Sequence, residues 1–178
     1  MHRRKLRQAI LDYVTRHPHE NAVSSRFLEL IDGHANCFER DCWPGHITGS
    51  AWLVDPTKTH LLLTHHKKLD MWLQVGGHSD GEPDTAQVAL REACEESGLQ
   101  VSLLNTAIFD LDVHEIPARK AEPAHYHFDV RFELSAQTRE YTVSDESHDL
   151  AWVPIADLTT VTREASILRM RDKWYATR

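Results

Sequence analysis

The sequence predicts an α/β fold in which a mixed β-sheet lies between helical layers, preceded by an N-terminal helical extension. Three observations carry this. Two short segments of helical periodicity come first. Stretches of strand length then fall on both sides of one central helical segment, and a last amphipathic helix closes the order. The extension is placed at residues 1–40 and the α/β domain at 41–178. A chain of 178 residues fits one domain with a small appendage, and its 41% hydrophobic content is enough for a core.

Leu6, Ile10, Leu11 and Val14 recur at helical spacing, which predicts a helix over Leu6–Thr15. Pro18 stops it, because the residue before a proline disfavours the α region. Phe27, Leu28 and Ile31 mark a second helix over Ser24–Ile31, with Ser24 or Ser25 as its cap and Gly33 as its stop. Packing or dimerisation is the expected role of this pair. Ile47–Val54 and Thr59–Thr64 read as strands joined through an Asp55–Pro56 turn. Trp72–Val75 leads into Gly76–Gly77. A helix over about Asp84–Ser97 is expected to turn Val88, Ala89, Ala93 and Cys94 inward and to end at Gly98. Val101–Asp112, Tyr126–Leu134 and Leu150–Val153 read as strands, Pro154–Leu158 as a turn or short helix, and Arg163–Tyr175 as the last helix.

A net charge of −7 argues against a protein that grips a nucleic-acid backbone. It leaves anionic substrates open where bound cations reverse the local field. No apolar run reaches the ~20 residues of a membrane span, and no signal core of ~7–15 apolar residues follows the basic start MHRRKLRQAI. A cytoplasmic protein is therefore expected, with no nucleic acid or membrane among its partners. Cys37, Cys42 and Cys94 are odd in number and lack metal-finger pairing, so they read as reduced thiols.

The richest stretch is Gly76–Leu99, GGHSDGEPDTAQVALREACEESGL. On a helix, Glu92, Glu95 and Glu96 share one side, about one turn deep. Three convergent carboxylates suit a hard divalent cation such as Mg²⁺, which takes oxygen ligands and commonly substrate phosphates as well.

Gly77, Arg91, Glu92, Glu95, Glu96, Gly98 and Leu99 resemble the Nudix box, which runs Gly, five residues, Glu, seven residues, then Arg-Glu-apolar-any-Glu-Glu-any-Gly-apolar. The half REACEESGL matches at every fixed position. The first Glu of the pattern falls at Pro83, with Glu82 one residue early and Asp84 one late. The resemblance covers about Ile47–Leu158 and implies a Nudix-type α/β/α sandwich. It further implies hydrolysis of a diphosphate bond in a nucleoside diphosphate linked to another group, X, with Mg²⁺ or Mn²⁺ as cofactor. Gly77, Glu92, Glu95 and Glu96 are then the metal-side residues. Glu92, Glu95, Glu96 and Arg91 form the catalytic set, with Arg91 structural through Glu95 or Glu82. Glu146 is a candidate loop base.

Thirteen histidines are many for this length. His78 follows the glycine pair, His46 precedes the first strand, and His125 and His127 share a strand face. Together they are candidates for a second metal or substrate site, since imidazole suits Zn²⁺, Mn²⁺ or Fe. The segments GHITGSAWLVD and GGHSDGE are similar to isopentenyl diphosphate isomerase, which shares the Nudix fold. An isomerase-like enzyme is thus one alternative, and a non-catalytic nucleotide-binding module another. Against the isomerase, Gly76 stands where that enzyme has its catalytic cysteine, and the Arg-Glu and Glu-Glu pairs here are complete. Trp43, Trp52, Trp72, Tyr126 and Phe128 could stack a base, and Lys67, Lys68, Arg119 and Lys120 could meet phosphates. A homodimer would use the N-terminal helices.

Overall fold

The computed structural model describes residues 2–67, 70–118, 122–143 and 147–178, with the side chains of 147 and 148 left aside. Helices α1 (Arg3–Arg16) and α2 (Asn21–Gly33) are joined through a 3₁₀ turn at Pro18–Glu20. Both are longer than the apolar spacing alone suggests. Ser24 does not cap α2. It lies within the helix, buried, and its hydroxyl donates to the Glu20 carbonyl one turn back.

Strands β1 (Gly45–Val54), β2 (His60–His66), β3 (Met71–Gln74) and β4 (Gly76–His78) precede helix α3 (Thr85–Ser97). Strands β5 (Val101–Leu103), β6 (Asp110–Ile116), β7 (His125–Ala136) and β8 (Ser147–Pro154) follow. A short helix α4 (Leu158–Val161) and the helix α5 (Ala165–Ala176) complete the order. The expected strand over Val101–Asp112 is two strands. Both pair antiparallel with β7, and the chain leaves that edge between them around Asn105, whose side chain accepts the Ala107 N–H.

The eight strands form one mixed sheet. Its spine is the parallel pair β1–β7, in register from Gly45 opposite Tyr126 to Val54 opposite Ser135. On the other edge of β1, β2 pairs only at Val54 opposite Leu61, and β4 takes over at Thr48–Ser50. Strand β2 diverges to pair with β3 and β8.

Side chains alternate across β1 and β7. On one face lie Ile47, Ala51, Leu53, Phe128, Val130 and Phe132, all buried beneath helices α1, α2 and α3. Phe27 of α2 meets Phe128 edge-on at 5.2 Å. Gly49 lies under α3: a Cβ there would sit 2.8 Å from the Thr85 carbonyl oxygen. On the opposite face, Trp52 and Val54 pack with Ile167, Met170 and Trp174 of α5. Lys173 of α5 bonds Asp110 on β6 and Glu20, which ties the last helix to both the sheet and the N-terminal pair. No helix among the described residues is long and apolar enough to cross a membrane.

Candidate active site

Helix α3 is positioned at both ends. Asp84 caps it, accepting the Gln87 N–H at 3.4 Å, while Glu82 accepts the Asp84 N–H at 2.9 Å. At the other end Gly98 takes φ 68° and donates to the Cys94 carbonyl, the left-handed stop expected of a glycine there. Thr85, Val88, Ala89, Ala93 and Ser97 form the buried stripe. Cys94, expected inside, is exposed: it stands about 100° around the helix from Ala93, off that stripe.

The three box carboxylates hold different positions. Glu96 Oε1 accepts the Gly76 N–H at 2.7 Å. Glu92 lies over Gly77 and binds the Arg91 guanidinium at 2.7 Å. Arg91 also donates to the His78 carbonyl at 2.8 Å, so it clamps the helix to the end of β4. Its Nε is 4.0 Å from Glu95, whose side chain is 64% exposed. Glu82 faces Asp84 rather than Arg91. With proline where the pattern has Glu, the loop is held by the Arg40–Asp80 pair and the Glu82–Asp84 contact, and Arg91 is anchored on Glu92 and a carbonyl.

These residues fit a hard divalent cation. Carboxylate oxygens converge from one helix face onto a strand of two glycines, and no side chain on Gly77 intrudes between strand and helix.

Beside the box lies a polar face of the sheet that sequence reading only partly anticipated. Asp129 accepts hydrogen bonds from Thr48, Ser50, Gln74 and Arg131, at 3.0, 2.7, 3.2 and 2.7 Å. Arg131 is itself buried and pairs with Asp110 at 3.1 Å and Asp112 at 3.4 Å. Arg169 of α5 reaches the same two carboxylates. The signal for this hub was present: in HYHFDVRF every second residue is polar, as in DLDVH.

At the end of the same face, adjoining strands bring histidines together. His46 stands opposite His127, and His127 opposite His114. His78 is opposite Thr48, one step along. The ring of His46 is 4.9–5.1 Å from those of His78, His125 and His127. All four predicted histidines therefore meet. Burial, with the neighbouring imidazoles and Arg40 adding to it, lowers His46 and His78 to about 4. Burial and the adjoining histidines push His127 to about 2.

Of the aromatic candidates, Trp52 is core and Phe128 packs on α2. Tyr126 lies under the Arg26 guanidinium. Trp43 is 42% exposed, and Trp72 is half-buried and stacked on His65. Lys67 is exposed. Glu146, Lys68, Arg119 and Lys120 lie outside the described residues.

The NUDIX domain family matches residues 46–172 of the chain. This protein belongs to the Nudix family. Solved structures agree on the fold. A NUDIX-family hydrolase from Clostridium perfringens is 24% identical, covering 75% of this chain and 98% of its own at a TM-score of 0.53. The MutT protein of Methanosarcina mazei Go1 is 15% identical, covering 75% and 95%, with a TM-score of 0.62. The E. coli dihydroneopterin triphosphate pyrophosphohydrolase is 16% identical, covering 74% and 96%, with a TM-score of 0.59. No curated protein matches the chain.

Proposed function

We propose that the protein hydrolyses a phosphoanhydride bond in a nucleoside diphosphate linked to another moiety, with Mg²⁺ or Mn²⁺ held by Glu92, Glu95, Glu96 and the Gly77 carbonyl. The observation that carries this reading is the pair of α3 carboxylates, Glu92 and Glu96, set against the side-chain-free Gly76–Gly77 stretch, with Glu95 exposed on the same helix. A cation held there neutralises diphosphate charge and lowers the pKa of water.

The protein's own residues divide the remaining work. Glu96, bonded to the Gly76 N–H, fixes the distance between helix and strand. Arg91 holds Glu92 and the His78 carbonyl in place, a positioning role rather than a contact with substrate. Glu95, the most open of the three, is free to orient the attacking water and to accept its proton. Trp72 and Trp43 offer accessible aromatic surface for a base. Negative net charge over the whole chain is compatible with a small anionic substrate once the cation is bound.

The test is turnover. Purified protein with Mg²⁺ or Mn²⁺ is incubated with a panel of nucleoside diphosphate derivatives, and release of nucleotide and phosphate is measured. Cleavage that depends on the cation and falls sharply in Glu95→Gln and Glu96→Gln is expected. No cleavage of any member, with metal affinity unchanged in both variants, overturns the reading. So does conversion of isopentenyl diphosphate to its isomer in place of nucleotide release.

A further inference from the structure

We propose that His46, His125 and His127 form a second cation site, distinct from the box carboxylates, that binds a divalent transition metal of the Zn²⁺ type. Each of the three offers one ring nitrogen, and these nitrogens all lie within 4.8 Å of one another. Tetrahedral Zn²⁺ separates its nitrogen ligands by about 3.3 Å, since each Zn–N bond is about 2.0–2.1 Å. Ring rotation on binding would have to close a gap of at most about 1.5 Å.

The state of the imidazoles argues for a ligand. His46 is 2% exposed, yet neither of its ring nitrogens has a hydrogen-bond partner among the described residues, and Nε2 of His127 is likewise buried and unpartnered. Buried polar atoms left unpaired are costly, and several in one nest call for an occupant. His125 shows the tautomer a ligand needs. Its Nδ1 is 2.9 Å from the Pro123 carbonyl, so that nitrogen carries the proton and the Nε2 lone pair is available. His114 is built the same way, with Nδ1 at 3.1 Å from Asp112 and its ring 5.5 Å from that of His127. The ring of His78 stands 4.9 Å from that of His127.

Donor chemistry separates the two sites. Imidazole nitrogens favour borderline transition metals, whereas Mg²⁺ demands oxygen and keeps its waters. Three neutral ligands leave the cation its full double charge and an open position. An oxyanion or water can take that position. His78 borders both centres: its ring adjoins those of His46 and His127, and Arg91 of the box holds its carbonyl.

The experiment counts metal. Full-length protein is stripped with chelator, reconstituted with Zn²⁺, desalted and analysed for metal per chain. Titration with Co²⁺ is followed through its visible ligand-field bands. One Zn²⁺ per chain, lost in His46→Ala and His127→Gln but kept in the double variant Glu95→Gln/Glu96→Gln, is expected. To keep the test independent of whether a histidine variant folds, the wild type is also titrated while histidine ring resonances are followed by NMR. Shifts in His46, His125 and His127 that saturate at one equivalent of Zn²⁺, with none from Mg²⁺, support the site. Zn²⁺ lost in the glutamate variant and kept in folded histidine variants overturns it, as does less than one equivalent bound with the ring resonances unmoved. Neither measurement uses turnover, so the outcome is independent of the hydrolase reading.

Discussion

The Glu92 carboxylate occupies the space where a side chain on Gly77 would begin: a Cβ added to Gly77 would lie 2.5 Å from Glu92 Cδ. Strand and box helix are thus in backbone-to-carboxylate contact. Gly77→Ala is expected to push Glu92 outward and to cut the rate of diphosphate hydrolysis about 100-fold, the scale of a displacement near 1 Å at a reacting site. Steady-state kinetics at saturating metal measure it, and an alanine variant as fast as wild type would remove Gly77 from the site.

Glu96→Gln separates charge from geometry. The amide oxygen of Gln can still accept the Gly76 N–H, so the melting temperature should hold within a few degrees. Cation affinity should nonetheless fall by about 10-fold or more, because an amide oxygen is a poorer ligand for a hard ion. Isothermal titration with Mn²⁺ beside thermal melts reads both. A large loss of stability with unchanged affinity would make Glu96 purely a structural brace.

Asp110 is fully buried between Arg131, Arg169 and Lys173. Asp110→Ala strands this positive charge in the interior, and breaking a buried pair from one side costs about 3–5 kcal/mol. Urea unfolding of the variant should show that loss in the midpoint. A change under ~1 kcal/mol would mean that water reaches these cations.

The same carboxylates set the acid limit of the fold. Burial opposes ionisation of Asp110, but Arg169, Arg131 and Lys173 outweigh it and hold its carboxyl below the usual range. Burial opposes Asp112 too, and there His114, Arg131 and Arg169 win. A carboxyl depressed in the folded state adds stability above its unfolded value of about 3.9 and loses it as pH falls through the folded value. Unfolding free energy contributed by this pair should be level from neutral pH to about 5 and fall below about 4. Urea titrations of wild type and Asp112→Asn check it: the variant should start less stable and show a shallower acid slope.

The box helix was legible because its information is local. Apolar spacing, a capping Asp84 and a terminal Gly98 all act within one segment, and the register of Arg91, Glu92, Glu95 and Glu96 follows from them. Cys94 shows the limit of that reasoning, since a one-residue step off the stripe turns an apolar side chain outward. The histidines were legible as candidates, but their convergence depends on which strands are neighbours. Only the parallel pairing of β1 with β7 sets His46 opposite His127. Asp129 and Arg131 escaped notice for a related reason. Polar residues at alternate strand positions look solvent-facing until both faces of the sheet are known to be covered. The break between β5 and β6 was hidden because both segments share a strand-like composition and pair with one partner, β7.

The parallel register of β1 and β7 has a bearing on how the molecule comes into being. It joins positions about 80 residues apart along the chain, a closure that local contacts cannot make early. A growing chain that has reached the end of α3 already contains Arg91 and every box glutamate, yet not β7, the parallel partner of β1. The Asp129 hub and two of the three proposed zinc ligands arrive only with β7. The box carboxylates therefore precede their polar wall in synthesis, and the site is complete only once β7 has been made and paired with β1.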